Sequence, residues 1–357
     1  MKNKDITKRA FLSLMLTVFL VEITIQATSF IQGIFIGQYL DTEEFSAYGL
    51  ATNYVNFQYI IGSMFSAGTQ ITVATFLSKG KKKEAQGSFF ISLVTVIIIS
   101  ISIIILVNIF ADDICVFFGA RGNAAHLLPQ SSSYLKLIVL GTPAYCLSFV
   151  LPQVALLQGG HKFVYTSYIT MLVLTFAGCF INFEIIEGGL EGLGIIYSLN
   201  YYISVGILII HFLNKNNTFN LKPKQLKFEL LRPVIQQALP DMTLGICLLI
   251  FPILMNGLIL NFDQSVHGLA SFSMQMNFRN FITTLSTGIC TSVLVLFGMY
   301  SSQCDFKECR KVLNCAIKML VIAILPISLF IGFFSGNIAY MYTQNPDTYE
   351  FTKTAIF

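Results

Sequence analysis

The chain has 357 residues, of which 55% are hydrophobic and only 11% charged, and its mean hydropathy is +0.71. A soluble domain needs roughly a quarter of its residues charged to cover its surface, so this composition excludes a water-soluble globular protein. The net charge of +4 is not gathered into a basic face. Lys and Arg fall in short clusters between apolar runs, which excludes a nucleic-acid partner.

The N-terminus, MKNKDITKRA, is basic and precedes an apolar run from Phe11 to Leu40. That run is too long for a signal-peptide core and lacks a small-residue cleavage site, so it is read as an uncleaved first span. An apolar helix of about 20 residues crosses the ~30 Å hydrocarbon layer. In chain order the spans are expected at 11–40, 46–77, 87–110, 132–158, 163–185, 190–213, 241–262, 266–298 and 312–334. They are punctuated by turn or charge signals such as LDTEEF, SKGKKKEAQG, FADDIC, QGGHK, EIIEGGLEG, NKNNTFNLKPKQ and SSQCDFKE. The longest runs are expected to tilt or kink. With the N-terminus in the cytoplasm, 18 of the 22 Lys and Arg fall in cytoplasmic segments or adjoining span ends, Lys79 and Lys81–Lys83 among them. The external loops then hold acids such as Asp41, Glu43, Glu44, Asp112 and Asp113, with Arg121 and Lys353 as their basic residues. This is the positive-inside pattern. The fold class is all-α, a polytopic membrane protein with nine transmembrane helices.

The chain also resembles itself. Ala47–Val73 aligns with Val266–Val293: Gly49-Leu50-Ala51 meets Gly268-Leu269-Ala270, and Ser66 and Gly68 meet Ser286 and Gly288. Glu84, Phe110 and Ile114 then meet Glu308, Phe334 and Ile338. The alternative explanation is shared apolar composition. A repeat of six spans implies two parallel six-helix bundles related by an axis along the membrane normal, with a substrate site between them near the midplane. The predicted organisation is an N-terminal six-helix lobe at 1–213, a basic cytoplasmic linker at 214–240, and at 241–357 three helices and an external segment of the second lobe. In this alignment Phe357 meets Ser133, so nine helices of a twelve-helix architecture are expected here and the counterparts of spans four to six lie beyond them.

Polar residues inside spans are the site candidates, because a charge at mid-span costs ~2.5–3.5 kcal/mol on insertion scales. Glu22 lies inside the first span, and Gln26, Ser29 and Gly33 follow it at helical spacing, so one polar stripe is expected. Glu22 either loads and releases a proton or is a neutral acid bonded between helices. Asn53, Asn56, Ser63 and Ser66 of the second span, and Gln275, Asn277, Arg279 and Asn280 of the eighth, either line a substrate cleft or join helices. Arg279 could pair with an acid or bind an anionic head group, or bond backbone carbonyls. Asp241, after Pro240, is expected to be a helix N-cap. The eight cysteines contain no C-x-x-C pair, and no metal site is expected.

Four stretches resemble one family in their order and spacing: FIQGIFIGQYL followed by FSAYGLA, SAGTQITVATFLSKGKKKEA, YLKLIVLGTPAYCLSFVLPQVALLQGGHK, and GLEGLGIIYSL. The chain is similar to the multidrug and toxic compound extrusion (MATE) family, within the wider multidrug/oligosaccharidyl-lipid/polysaccharide flippase superfamily. The resemblance implies a V-shaped pair of lobes and alternating access. It implies H⁺- or Na⁺-coupled antiport of drugs or amphipathic metabolites, with a small-molecule substrate, lipid contacts and no cofactor beyond the coupling ion. A monomer in a bacterial plasma membrane is expected. Gln32 stands where many relatives carry a first-span aspartate. Asn182 matches a fifth-span asparagine whose partner aspartate is replaced by Ile186, and Cys247–Ile250 is apolar where one branch has a glutamate. The ion-coupling candidates are therefore Glu22, Gln26, Gln32 and Asn182. A lipid-linked oligosaccharide flippase and a nonfunctional truncated transporter are the alternatives. An enzyme is not expected, since no D-D-x-x-D, H-E-x-x-H or paired-His element is present.

Charge asymmetry orients the spans, so a cysteine at position 82 should resist an impermeant thiol reagent in intact cells and react after permeabilisation. Labelling from outside would overturn the topology.

Overall fold

The computed structural model describes residues 2–213, 227–262 and 306–342, together with Phe219 and scattered positions within 271–300 and 349–354; side chains are described from Leu20 onward. All its regular structure among those residues is helical. The helices are α1 (Lys2–Tyr39), α2 (Thr42–Ser78), α3 (Lys82–Ile109), α4 (Ala111–Phe118), α5 (Leu128–Val139), α6 (Thr142–Leu157), α7 (His161–Phe180), α8 (Gly189–Leu213), α9 (Leu231–Phe262), α10 (Phe306–Phe333) and α11 (Ser335–Tyr342). Among the described residues six helices are long and apolar enough to cross a bilayer, or seven if the bent pair α5–α6 is one span. The eighth expected span, 266–298, lies largely outside the described residues.

Local chemistry explains most of the boundaries. Asp41 caps α2, its carboxylate accepting the Glu44 N–H at 2.8 Å, while Glu43 and Glu44 complement the helix dipole. The stretch after α3, read from sequence as a loop, is instead the short helix α4 and a 3₁₀ turn, Gly122–Leu127. Asp112 and Asp113 favour the start of α4, and Gly119, at φ +126°, ends it.

The fourth expected span is not one helix. It bends by 45° between α5 and α6. Pro143 has no N–H to give Val139, and the Gly141 N–H turns to Ile138 O at 3.1 Å. In hydrocarbon each orphaned carbonyl costs several kcal/mol, so the break persists only if side chains replace the lost donors. They do. Ser198 Oγ donates to Leu137 O at 2.8 Å, Thr142 Oγ1 to Val139 O at 2.6 Å and the Tyr202 hydroxyl to Leu140 O at 2.9 Å. Gly141 makes room for this, because a Cβ there would lie 2.9 Å from Ser198 Oγ. Pro152, inside α6, removes the bond to Ser148 O, which takes the Tyr168 hydroxyl of α7 at 2.9 Å instead.

Helix α2 forms the centre, packed against α3, α5, α6 and α9; α8 packs on α5, α6 and α7, and α1 lies along α7. Tyr54, Phe65, Leu135, Ile138 and Leu151 fill the core between them. Outside it, Ile98, Ile101, Ile105 and Ile109 on α3, and Ile169, Val173, Phe176 and Phe180 on α7, form exposed apolar stripes at helical spacing. Such stripes suit contact with lipid tails rather than water. The chain is an integral membrane protein.

Helices α2 and α9 approach each other closely at two glycines. A Cβ on Gly68 would lie 2.4 Å from the Val234 carbonyl oxygen, and one on Gly245 2.8 Å from Ile60 Cγ1. Gly68→Ala should therefore force backbone apart and cost about 1–3 kcal/mol, read as a lower thermal midpoint in detergent. Gly206→Ala, with nothing within 4 Å of the added atom, should leave the midpoint unchanged or raise it. Equal midpoints for the two variants would refute the close approach.

Candidate functional site

The buried polar groups gather at two levels of α2. At the first, Gln58 is fully buried and joins three helices: its Nε2 donates to Thr142 Oγ1 at 2.8 Å, and its Oε1 accepts the Tyr197 hydroxyl at 2.8 Å. Tyr54 OH lies 2.8 Å from the same Thr142 hydroxyl. This knot sits at the α5–α6 bend, so the bend and the packing of α2, α6 and α8 are set by one set of hydrogen bonds. At the second level, Ser66 Oγ donates to Phe149 O at 3.0 Å and Gln70 Nε2 to Gln153 Oε1 at 2.9 Å.

Beside the second level, α1, α6 and α7 enclose a narrow crevice. Val21, Ile25, Phe149, Pro152, Leu156, Val164 and Tyr168 line it, and Gln153 supplies its amide. Its wall is thus largely aliphatic and aromatic, with the Gln153 amide beside Pro152 of α6.

The predicted site residues fall in different places. Glu22 is on α1 next to Val21, with its side chain outside the described residues. The buried positions described on α1 are Val21, Thr28, Gln32, Gly33 and Ile36, with Ile25 half-buried between them. Of the expected Glu22–Gln26–Ser29–Gly33 stripe, Gly33 is buried, Gln26 is half-buried and Ser29 is exposed, while the neighbouring Gln32 is buried as well. Asn53 is buried and its amide donates to Leu50 O at 3.1 Å, while Asn56 is half-buried. Asn182 sits in the turn joining α7 to α8, a π-helical turn (Ile181–Ile186) followed by Glu187 in the left-handed region at φ 56°. Its Nδ2 donates to Gly189 O at 2.9 Å, and its Oδ1 lies so close that a Cβ on Gly192 would be 1.7 Å away. Nearby the Tyr39 hydroxyl donates to the Glu184 carboxylate, and the Tyr39 ring stacks on Phe183 with centroids 5.4 Å apart.

Gln275 and Arg279 are half-buried. The Arg279 guanidinium lies 5.4 Å from the Phe251 ring centroid, and its Nη1 lies 3.3 Å from Met276 Sδ. Asn277 and Asn280 lie outside the described residues. Asp241 is not an N-cap, because α9 starts at Leu231 and carries Pro240 and Asp241 in its interior. The Ser63 hydroxyl of α2 donates to Ile60 O at 3.4 Å. Sequence reasoning passed over Gln58, Gln70 and Gln153. Their signal was present, since an amide inside an apolar span needs partners.

The MatE family model matches residues 18–183 and 242–356. The multidrug export protein MepA of Staphylococcus aureus is 24% identical over 311 residues, covering 84% of this chain and 66% of its own length. MepA of Staphylococcus saprophyticus is 25% identical over 314 residues, covering 85% and 66%. The chain thus spans about two thirds of the length of the curated relatives it matches. Among solved structures, a MOP superfamily transporter from Pyrococcus furiosus superposes with a TM-score of 0.87 at 17% identity, over 98% of this chain and 77% of its own. A multidrug resistance MATE family transporter in an outward-facing conformation superposes with a TM-score of 0.86 at 16% identity, over 98% and 78%. The match along most of the chain and the shared helical fold lead to one assignment: this chain belongs to the MatE family of membrane transporters.

Proposed function

We propose that the protein exports drugs or amphipathic metabolites by ion-coupled alternating access. The observation that carries this reading is the match of the MatE model along most of the chain. The crevice between α1, α6 and α7, about 30 Å³ in volume, is too small to hold such a compound as it stands, and its aromatic and aliphatic wall marks a face against which an apolar end could bind once the helices part. Multidrug export by the staphylococcal MepA relatives supports the export reading. In this reading the coupling ion is H⁺, with Na⁺ the alternative, and Glu22, the acid within the first span, carries the proton, because a carboxyl group in a low-dielectric span exchanges one as water access alternates. We further read the chain as nine spans with the N-terminus in the cytoplasm. Residues 1–213 form one six-helix lobe, 241–357 belong to its parallel repeat, and the protein works as a monomer in a bacterial plasma membrane. A second reading, a lipid-linked oligosaccharide flippase, is favoured by Arg279, a half-buried cation stacked on Phe251 that suits an anionic head group.

Efflux of a fluorescent lipophilic cation from membrane vesicles carrying the protein tests the export reading. Glu22→Gln should abolish efflux driven by a pH gradient while leaving binding of the cation within about twofold, because binding needs the apolar wall and coupling needs the proton. Normal efflux with an unchanged pH profile in that variant would remove Glu22 from the mechanism. Phe149→Ala should weaken binding by about 0.5–1.5 kcal/mol, roughly two- to tenfold in Kd, through loss of one aromatic wall. Transfer of a fluorescent lipid-linked diphosphate sugar with no cation efflux would favour the flippase instead.

A further inference from the structure

Helix α10 carries a two-part row on its open side. Lys307, Lys311, Asn314 and Lys318 lie at i, i+4, i+7 and i+11, and Ile322, Leu325 and Leu329 continue the spacing at i+15, i+18 and i+22. At about 100° per residue these positions share one helix face. All of them are exposed, and Arg310, exposed too, flanks the basic part. The opposite face carries the buried Cys309, Val312 and Ala316, and Ile289, Val293 and Tyr300 pack on that buried side.

The acids of this stretch are Asp305, just before the helix, and Glu308. Glu308 is engaged by Lys311, whose Nζ donates to its carboxylate. Lys307, Arg310 and Lys318 remain as a cationic row along about 16 Å of helix. From Met319 to Phe333 the helix has no charged residue, so the row turns from cationic to apolar within about one turn. Its apolar part, Ile322 to Phe333, rises roughly 16 Å, about the depth of one leaflet of a ~30 Å hydrocarbon layer. In the internal alignment that pairs Phe110 with Phe334, Ile98, Ile101 and Ile105 of α3 meet Ile322, Leu325 and Leu329, and both sets are exposed. Helix α3 thus repeats the apolar row, but Gly87, Phe90 and Val94 stand where α10 has Lys311, Asn314 and Lys318. Orientation in the membrane would be served by cations anywhere on the exposed arc of α10. Its other edge is instead taken by Phe306, Leu313 and Ile317, and the cations stand in line with the apolar row.

We propose that this face of α10 binds an anionic phospholipid, its phosphate-bearing head group on Lys307, Arg310 and Lys318 and an acyl chain along Ile322, Leu325 and Leu329. A guanidinium meets two phosphate oxygens at once, and the long lysine stems let their ammonium groups reach the head-group layer while the stems stay against the helix. The occupant is a lipid rather than a soluble anion, because the apolar row starts one turn beyond the last cation and stays exposed to the depth of a leaflet. A zwitterionic head group brings its own cation to the same row and is attracted less. The bound head group offsets the repulsion among like charges and ties the start of α10 to the membrane surface. The site shares no residue with the crevice between α1, α6 and α7, and it holds whether or not the chain exports a compound.

The test uses phosphatidylglycerol and phosphatidylcholine, each with a photoactivatable group in one acyl chain, in membranes that hold the full chain. Phosphatidylglycerol should label the α10 peptide containing Ile322, Leu325 and Leu329 more strongly than phosphatidylcholine, and the matching α3 peptide should show a smaller preference. Lys307→Gln, Arg310→Gln and Lys318→Gln should each weaken phosphatidylglycerol binding at α10, read by competition with unlabelled lipid, by up to about fivefold. Removing Lys82 and Lys83 of α3 as Gln variants should leave the α10 labelling unchanged. High salt should lower the preference, and excess glycerol phosphate, a head group without chains, should not compete. Equal labelling of α10 by the two lipids, or a preference that survives loss of all three cations, would overturn the site. Competition by glycerol phosphate would show a soluble-anion site and overturn the lipid as occupant. If the triple variant does not reach the membrane, the comparison of the two lipids on the unmodified chain decides by itself.

Discussion

Everything in this fold depends on how backbone carbonyls are satisfied where helices break inside hydrocarbon. Water is not there to take them, so a broken span is stable only when its neighbours supply donors. The α5–α6 bend and Pro152 each free carbonyls, and Ser198, Thr142, Tyr202 and Tyr168 cap them. Three of those four hydroxyls come from α7 and α8. The bend is thereby tied to the packing of the helices around it, and Gln58 extends the same bonds to α2. The crevice lies beside Pro152, whose missing N–H leaves the Ser148 carbonyl to the Tyr168 hydroxyl.

The second constraint is how closely two backbones can approach. Gly68 and Gly245 bring α9 against α2, and Gly192 admits Asn182 to the start of α8. A methyl group at any of these positions would meet a carbonyl oxygen, a branched side chain or a fixed amide. Between the Gly68 and Gly245 approaches α9 carries an acid, Asp241, in its interior rather than at its start.

Much of the fold was legible in the sequence because hydrocarbon thickness and charge asymmetry act on composition and length. The span positions of α2, α3, α7 and α8 agree with the apolar runs to within a few residues. The candidate site was less legible. The polar stripe expected on α1 coincides only in part with the face that packing buries, since Gly33 and Gln32 are inside and Ser29 is not. Periodicity gives the spacing of a helical stripe but not which stripe a neighbour covers. Gln58, Gln70 and Gln153 were passed over because an amide declares a need for partners without declaring where they are. Asp241 was misread for a related reason: Pro240 is a common helix-start signal, and here α9 runs through it from Leu231.

The sequence by itself determined that this is a membrane protein, all helical, with spans where the apolar runs lie and a likeness to MATE transporters in the order of its short motifs. Those properties follow from local composition and from the lipid solvent, which act on each segment independently. Only the tertiary structure decided that the fourth span is broken, which face of α1 is buried, that Asn182 is held in a turn, and that Gln58 meets Thr142 and Tyr197. Each of these depends on a partner far away in the chain. In a membrane, where polar groups must find each other rather than water, the identity of that partner is what turns a polar residue into a joint, a wall or a gate.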